Sequence, residues 1–272
     1  MKFKKTINNL TLSNLYISIA AGVICSGISH LLHYHQVFEI GLFVFSSTLS
    51  IYSFQRLVKY KLEEKRESEL NSWLEKTVKI QVVYIFLFPI LSIYIYFFTL
   101  NAFENTKWWM VISLILSVLY AVKLKGKSLR DVHYLKMHLI SIVWCNSLLF
   151  PILLNNDYES TNLMFILIHY FLFIALCIPF DIRDLYYDVT SLKTLPQLIG
   201  VINSKLISFS AFLFFVIGSI VLKPDLIEHY FYILSIIIGF IILSFASEKR
   251  KSYYYTLLID GVILVVGLSY LL

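Results

Sequence analysis

Nine stretches dominated by Phe, Ile, Leu, Val and Tyr constrain this chain more than any other feature; they lie at 14–33, 38–57, 78–100, 108–123, 136–154, 161–180, 204–222, 229–246 and 254–272. Each approaches the roughly 20 apolar residues that a helix needs to cross a bilayer. Backbone inside hydrocarbon must satisfy its own polar groups, which leaves helices or closed barrels. Barrel strands alternate apolar and polar positions over about ten residues, and these runs are continuously apolar. The expected fold is an all-α polytopic membrane protein, a single domain over 1–272 built as a bundle of nine transmembrane helices. Charged residues make up only 15% of the chain, where soluble domains carry about 25%, so a soluble fold is excluded.

The distribution of basic residues orients the bundle. Of 23 Lys and Arg, 21 fall in the N-terminus and in alternate loops: between Arg56 and Lys79, Lys123 and Lys136, Arg183 and Lys205, and Lys249 and Lys251. Lys107 and Lys223 are left for the other side. The positive-inside rule then sets the N-terminus in the cytoplasm and the C-terminus outside, in a bacterial cytoplasmic membrane. The formal charge of +6 is explained by topology, and no nucleic-acid partner is expected. The basic start MKFKKTINNL precedes an apolar run with no small-residue cleavage site, so the first run is expected to remain as a helix. Cys25, Cys145 and Cys177 lie inside apolar runs without paired spacing and read as small core residues.

One segment breaks the apolar pattern. Phe180 to Gly200 reads FDIRDLYYDVTSLKTLPQLIG, with three acids at the end of the sixth run. If that helix continues through them, Asp181, Asp184 and Asp188 at i, i+3 and i+7 fall within roughly 60° on one face. Clustered carboxylates repel unless a cation lies between them, and Mg²⁺ takes one or two carboxylates plus substrate phosphates. The same residues also read as a solvated juxtamembrane turn in which Arg183 and Lys193 neutralise the acids.

With Asp181, Arg183, Asp184, Asp188, then Lys193, Thr194, Leu195, Pro196 and Gly200, the chain resembles the UbiA superfamily of intramembrane prenyltransferases. The resemblance implies the family's nine-helix fold and transfer of a prenyl group from a prenyl diphosphate to a lipophilic acceptor, with Mg²⁺ assisting departure of the diphosphate. It implies Asp181, Asp184 and Asp188 as metal ligands. Residues 119–130, LYAVKLKGKSLR, resemble the family's Tyr-then-basic segment, which makes Lys123 and Lys125 diphosphate contacts with Tyr120 beside them. The family's first Asp-rich motif corresponds to YSFQRLVKYKLEEKRESE. Here Gln55 replaces Asn, Lys59 replaces the first Asp, and Glu63 replaces the second. Lys59 is then a functional substitute for a metal, because Lys also binds phosphate. Gln55, Arg56, Arg183 and Lys193 complete the expected phosphate contacts.

The altered first motif keeps two other readings open: a non-catalytic UbiA-like protein that binds a lipid or a partner, and a UbiA-type terpene cyclase. A transporter is disfavoured, since the spans lack paired Gly or Pro interruptions. Asp260, in TLLIDGVIL, is an acid within the last span and so a candidate for pairing with a loop cation or for accepting a proton. His30, His33 and His35 read as interfacial, His169 as a hydrogen-bonded core residue, and Asn146 as an amide bonding across helices.

Overall fold

The computed structural model describes residues 10–62, 69–122, 135–185 and 193–272. They form nine longer helical segments, a short 3-10 helix at Pro224–Glu228 and no strand. These are α1 (Leu15–Leu31), α2 (Val37–Leu62), α3 (Glu69–Tyr94, continued by a π turn at Ile95–Thr99), α4 (Phe103–Ala121) and α5 (Leu135–Leu154). There follow α6 (Ser160–Arg183), α7 (Leu195–Leu222), α8 (Tyr230–Ser244) and α9, a π turn at Tyr254–Ile259 leading into Asp260–Ser269. Each apolar run of the sequence coincides with one segment. Five are long and apolar enough to cross a membrane: Val37–Val58, Trp73–Thr99, Leu135–Leu154, Ser160–Arg183 and Leu195–Leu222. The chain is a helical membrane protein.

Burial separates helices that composition does not. The most apolar part of α6 is 56% buried and that of α3 only 17%, so α6 is central and α3 peripheral. On α3, Phe86, Leu87, Ile90 and Ile93 are exposed, as residues facing lipid are. The centre holds Phe165 and Phe215 against the His169 ring, with Phe212 packed on Phe215, all without exposure. His169 Nδ1 is 2.7 Å from the Phe165 carbonyl, which can only accept, so that nitrogen carries the proton. Its Nε2 then accepts from the Tyr270 hydroxyl at 3.1 Å, and the buried imidazole is satisfied on both sides. Asn146 Nδ2 donates across to Ser113 Oγ at 2.6 Å. α1 packs closely on α9 through small residues: the Gly267 carbonyl oxygen lies 2.3 Å from where a Cβ on Gly27 would stand.

α7 shows why a Thr-Leu-Pro stretch precedes a Gly. Thr194 caps the helix, its N–H donating to Gln197 Oε1 at 3.0 Å, and Pro196 occupies the first turn, where a missing N–H costs nothing. The helix then bends at Gly200, whose φ of 78° and ψ of 168° only glycine adopts freely. No atom lies within 4 Å of a Cβ added there, so Gly200→Ala meets a backbone penalty alone. It is expected to destabilise the protein by about 1–3 kcal/mol in a detergent unfolding titration. An unchanged midpoint would show that the bend relaxes at no cost.

Opposite ends of the bundle gather alternate connections. At one end the α1–α2 and α5–α6 connections meet: Tyr34 donates to Asp157 Oδ2 at 2.5 Å, and Asn162 Nδ2 to the same oxygen at 2.7 Å. Gln36 donates to the Thr99 carbonyl and Asn105 to that of Leu154, tying in the α3–α4 connection. The Tyr34 hydrogen bond, more than any other contact, holds the Asp157 carboxyl below its ordinary value. A carboxylate whose folded pKa is depressed adds stability above its unfolded pKa, about 4, and loses that stability as pH falls through the folded value. Tyr34→Phe is therefore expected to cost about 1 kcal/mol at pH 7 and progressively less below pH ~4. Unfolding curves at pH 7 and pH 3 check this, and a penalty independent of pH would overturn it.

Candidate functional site

The other end opens into a cavity of about 820 Å³ lined by α1, α2, α5, α6, α9 and the segment between α8 and α9. α2 carries a basic residue to its mouth by simple length. From Val37, about 20 residues at 1.5 Å each exhaust the ~30 Å hydrocarbon core, so Arg56 stands where the helix leaves it. α5 begins with Leu135 and α6 ends with Arg183, which brings Lys136, Asp181 and Arg183 to the same level. Deeper, the lining is Ile140, Trp144, Phe173 and Leu176, with Trp144 and Phe173 stacked at 5.1 Å between centroids.

The mouth is crowded with charge. Six basic side chains line the cavity (Arg56, Lys136, Arg183, Lys249, Arg250, Lys251) with four acids (Asp181, Asp184, Glu248, Asp260), a formal excess of two positive charges. Lys136 Nζ lies 2.7 Å from Asp181 Oδ1, and that carboxylate is nearly buried. Arg183 grips Asp184 with both arms, Nε to Oδ1 at 2.7 Å and Nη2 to Oδ2 at 2.9 Å. Its guanidinium also lies over the rings of Phe180 and Tyr255, at 5.0 and 5.5 Å from their centroids. Such a planar fork, fixed on three sides, is preorganised in a way that a Lys ammonium would not be. Arg56 donates to the Leu12 carbonyl, and Asp260 is coupled electrostatically to both Arg183 and Arg56. Tyr52 and Trp144 both line the cavity and give it an aromatic wall.

Of the residues singled out in the sequence, Arg56, Asp181, Arg183, Asp184 and Asp260 line this cavity together. Gln55 does not: it donates to the Ser117 carbonyl at 3.0 Å, because neighbours on a helix point about 100° apart and Arg56 takes the cavity side. Lys193 is exposed, with left-handed backbone before the Thr194 cap, and Tyr120 lies outside the lining, coupled electrostatically to Tyr52. Lys123, Lys125, Asp188 and Glu63 lie outside the described residues, as does the Lys59 side chain, although its backbone belongs to α2.

Continuation of the sixth helix through the acids is corrected. α6 ends at Arg183, and Asp184 and Leu185 turn back onto the Phe180 and Ile182 carbonyls. The acids are also differently partnered: Lys136, not Lys193, engages Asp181, while Arg183 does engage Asp184. Among the described residues no three His, Cys, Asp or Glu side chains are grouped to hold a metal. With Asp181 and Asp184 each committed to a basic partner, these donors do not fit Mg²⁺ by themselves. A complete set would draw on Asp188 or Glu63 as well.

Sequence reasoning counted Lys136 and Lys249–Lys251 for topology alone and passed over Asn14, Tyr52 and Trp144. The available signal was position, since each stands at the end of an apolar run or inside one that ends at the same face. No family model, curated protein or solved structure matches this chain.

Proposed function

We propose that the chain is an intramembrane prenyltransferase of the UbiA type, moving a prenyl group from a prenyl diphosphate to a lipophilic acceptor. One observation carries the reading: a single cavity of about 820 Å³ joins a net-basic mouth to an aromatic and aliphatic interior. A prenyl diphosphate has the same two halves, an anionic head and an apolar tail. Arg56, Lys136 and Arg183 receive the phosphate oxygens, and the tail runs along Ile140, Trp144 and Phe173.

The chemistry follows from that placement. The allylic C–O bond breaks and its electron pair leaves on the diphosphate. The acceptor supplies the pair for the new bond to carbon and gives up a proton. Cations already fixed around the leaving group stabilise its charge as it develops, with no reorganisation at the moment of reaction. Aromatic faces of Trp144 and Phe173 stabilise the positive end of the ionised chain. The bias of basic residues supports a cytoplasmic mouth, with the C-terminus outside.

A second reading is favoured by a specific observation. Asp181 and Asp184 are held in ion pairs, and Lys59 stands at a metal-ligand position of the resemblance, both of which suit a binding protein that has lost transfer. The test uses the purified chain in nanodiscs with radiolabelled geranylgeranyl diphosphate, with and without a bacterial lipid extract. Diphosphate release that requires the extract supports transfer. Release without it, accompanied by a cyclic hydrocarbon, assigns a cyclase. Binding without release assigns the non-catalytic protein, and absence of binding removes the whole reading.

A further inference from the structure

The strap between α8 and α9 brings a second set of cations to the mouth. Its residues 248–252 line the cavity with Arg183, and Lys249 and Lys251 flank Arg250. Arg250 is committed to the α8 side: its Nε donates to the Phe245 carbonyl at 3.1 Å, and its guanidinium lies over the rings of Phe245 and Tyr254, at 5.7 and 5.4 Å from their centroids. Tyr255 ties the strap the other way. It has no exposed surface, and its hydroxyl both donates to the Ser247 carbonyl at 2.5 Å and accepts from the Ser247 N–H at 3.1 Å. Its ring lies against Phe180 and under the Arg183 guanidinium. Fixed contacts therefore lead from Asp184 through Arg183 and Tyr255 to Ser247, joining the end of α6 to the strap. Tyr255 stands in the π turn Tyr254–Ile259, a departure from α-helical geometry found frequently at functional sites.

A phenylalanine ring would seat Arg183 equally well, so stacking does not call for the hydroxyl. What the hydroxyl fixes is the backbone that carries Lys249 and Lys251. A Lys ammonium rides on a flexible stem and loses side-chain freedom when it meets a phosphate, and a backbone already held in place keeps that cost from growing. We propose that Tyr255 is a positioning residue of the anion site: its ring seats Arg183 and its hydroxyl latches the strap, so that Lys249 and Lys251 close on the same anionic head group. The latch asks only for an anion; that this anion is a prenyl diphosphate rests on the transferase reading.

The strap is its own reporter, because trypsin cuts after Lys and Arg. Inorganic pyrophosphate, a head group without a tail, is titrated against tryptic cleavage at 249–251 of the protein in nanodiscs, with the cut located by mass spectrometry. Tyr255→Phe is expected to need about ten-fold more pyrophosphate for half-protection, the value of about one good hydrogen bond. Cys177 lines the same cavity as a free thiol, and its alkylation by a maleimide reports occupancy by geranylgeranyl diphosphate without turnover. Lys249→Gln combined with Lys251→Gln, both at exposed positions, is expected to weaken that protection about ten-fold in the unmodified background and no more than about two-fold once Tyr255→Phe is present. Strap protection that is absent from the unmodified protein or undiminished in Tyr255→Phe, or lysine losses that are nil or simply multiply with that of Tyr255, overturns the latch and leaves the transferase reading intact. Strap protection by pyrophosphate without any protection of Cys177 by geranylgeranyl diphosphate sinks the transferase reading and leaves the latch standing.

Discussion

On the proposed transferase reading, Arg183→Ala is expected to lower prenyl transfer by about 10²–10³-fold, the usual loss when one preorganised group facing developing charge is removed. Arg183 is the lining cation with the most fixed geometry: a two-armed grip on Asp184 at 2.7 and 2.9 Å, and two aromatic rings against its plane. Side-chain freedom lost on binding phosphate is therefore small, because the fold has already removed it. The loss should appear mainly in kcat, since the charge stabilised grows as the C–O bond breaks. Arg183→Lys separates charge from shape. It keeps the cation but loses the fork and the stacking, and is expected to recover only part of the rate. Turnover of radiolabelled geranylgeranyl diphosphate in nanodiscs gives both numbers, and thermal unfolding of each variant shows whether the fold survives. A folded Arg183→Ala protein with unmodified kcat would remove Arg183 from the reaction.

The helical, membrane-embedded fold was legible because its cause is local. A run such as 161–180 must hydrogen-bond to itself in hydrocarbon, and the span at Ser160–Arg183 follows from composition with no knowledge of neighbours. Which helix sits at the centre was not legible, because lipid and protein interior are equally apolar. Phe86 on α3 and Phe165 on α6 belong to indistinguishable runs, yet one faces outward and the other has no exposure.

The site was legible to the same depth. Acids beside hydrocarbon announced themselves, and Asp181 and Asp184 do line the cavity with Arg183. Their partners did not. Lys136 is 45 positions from Asp181, and only folding of α5 against α6 joins them. Thr194, Pro196 and Gly200 extended the resemblance beyond the acids, yet they have full explanations as a helix start and a bend. Their presence is compatible with that resemblance and does not require its chemistry.

The Lys136–Asp181 pair gives the larger stability effect. Lys136→Met removes one half of a pair whose side chains are 17% and 6% exposed, leaving Asp181 charged where water barely reaches it. Breaking such a pair typically costs about 3–5 kcal/mol, because the surviving charge keeps its desolvation penalty and loses its compensation. Lys136→Met combined with Asp181→Asn leaves no buried charge, and most of that loss is expected to return. The comparison matters because the ion pair need not be stabilising in sum: its partners line the mouth of a cavity, where on the proposed reading the ammonium also serves the anionic diphosphate. Protection of Cys177 by geranylgeranyl diphosphate should accordingly weaken in both variants, while stability falls only in the single one. Reversible unfolding in mixed detergent micelles measures the first quantity and maleimide labelling the second. If the single and double variants unfold at the same midpoint, Asp181 is not held by Lys136 alone, and its charge is balanced elsewhere in the mouth.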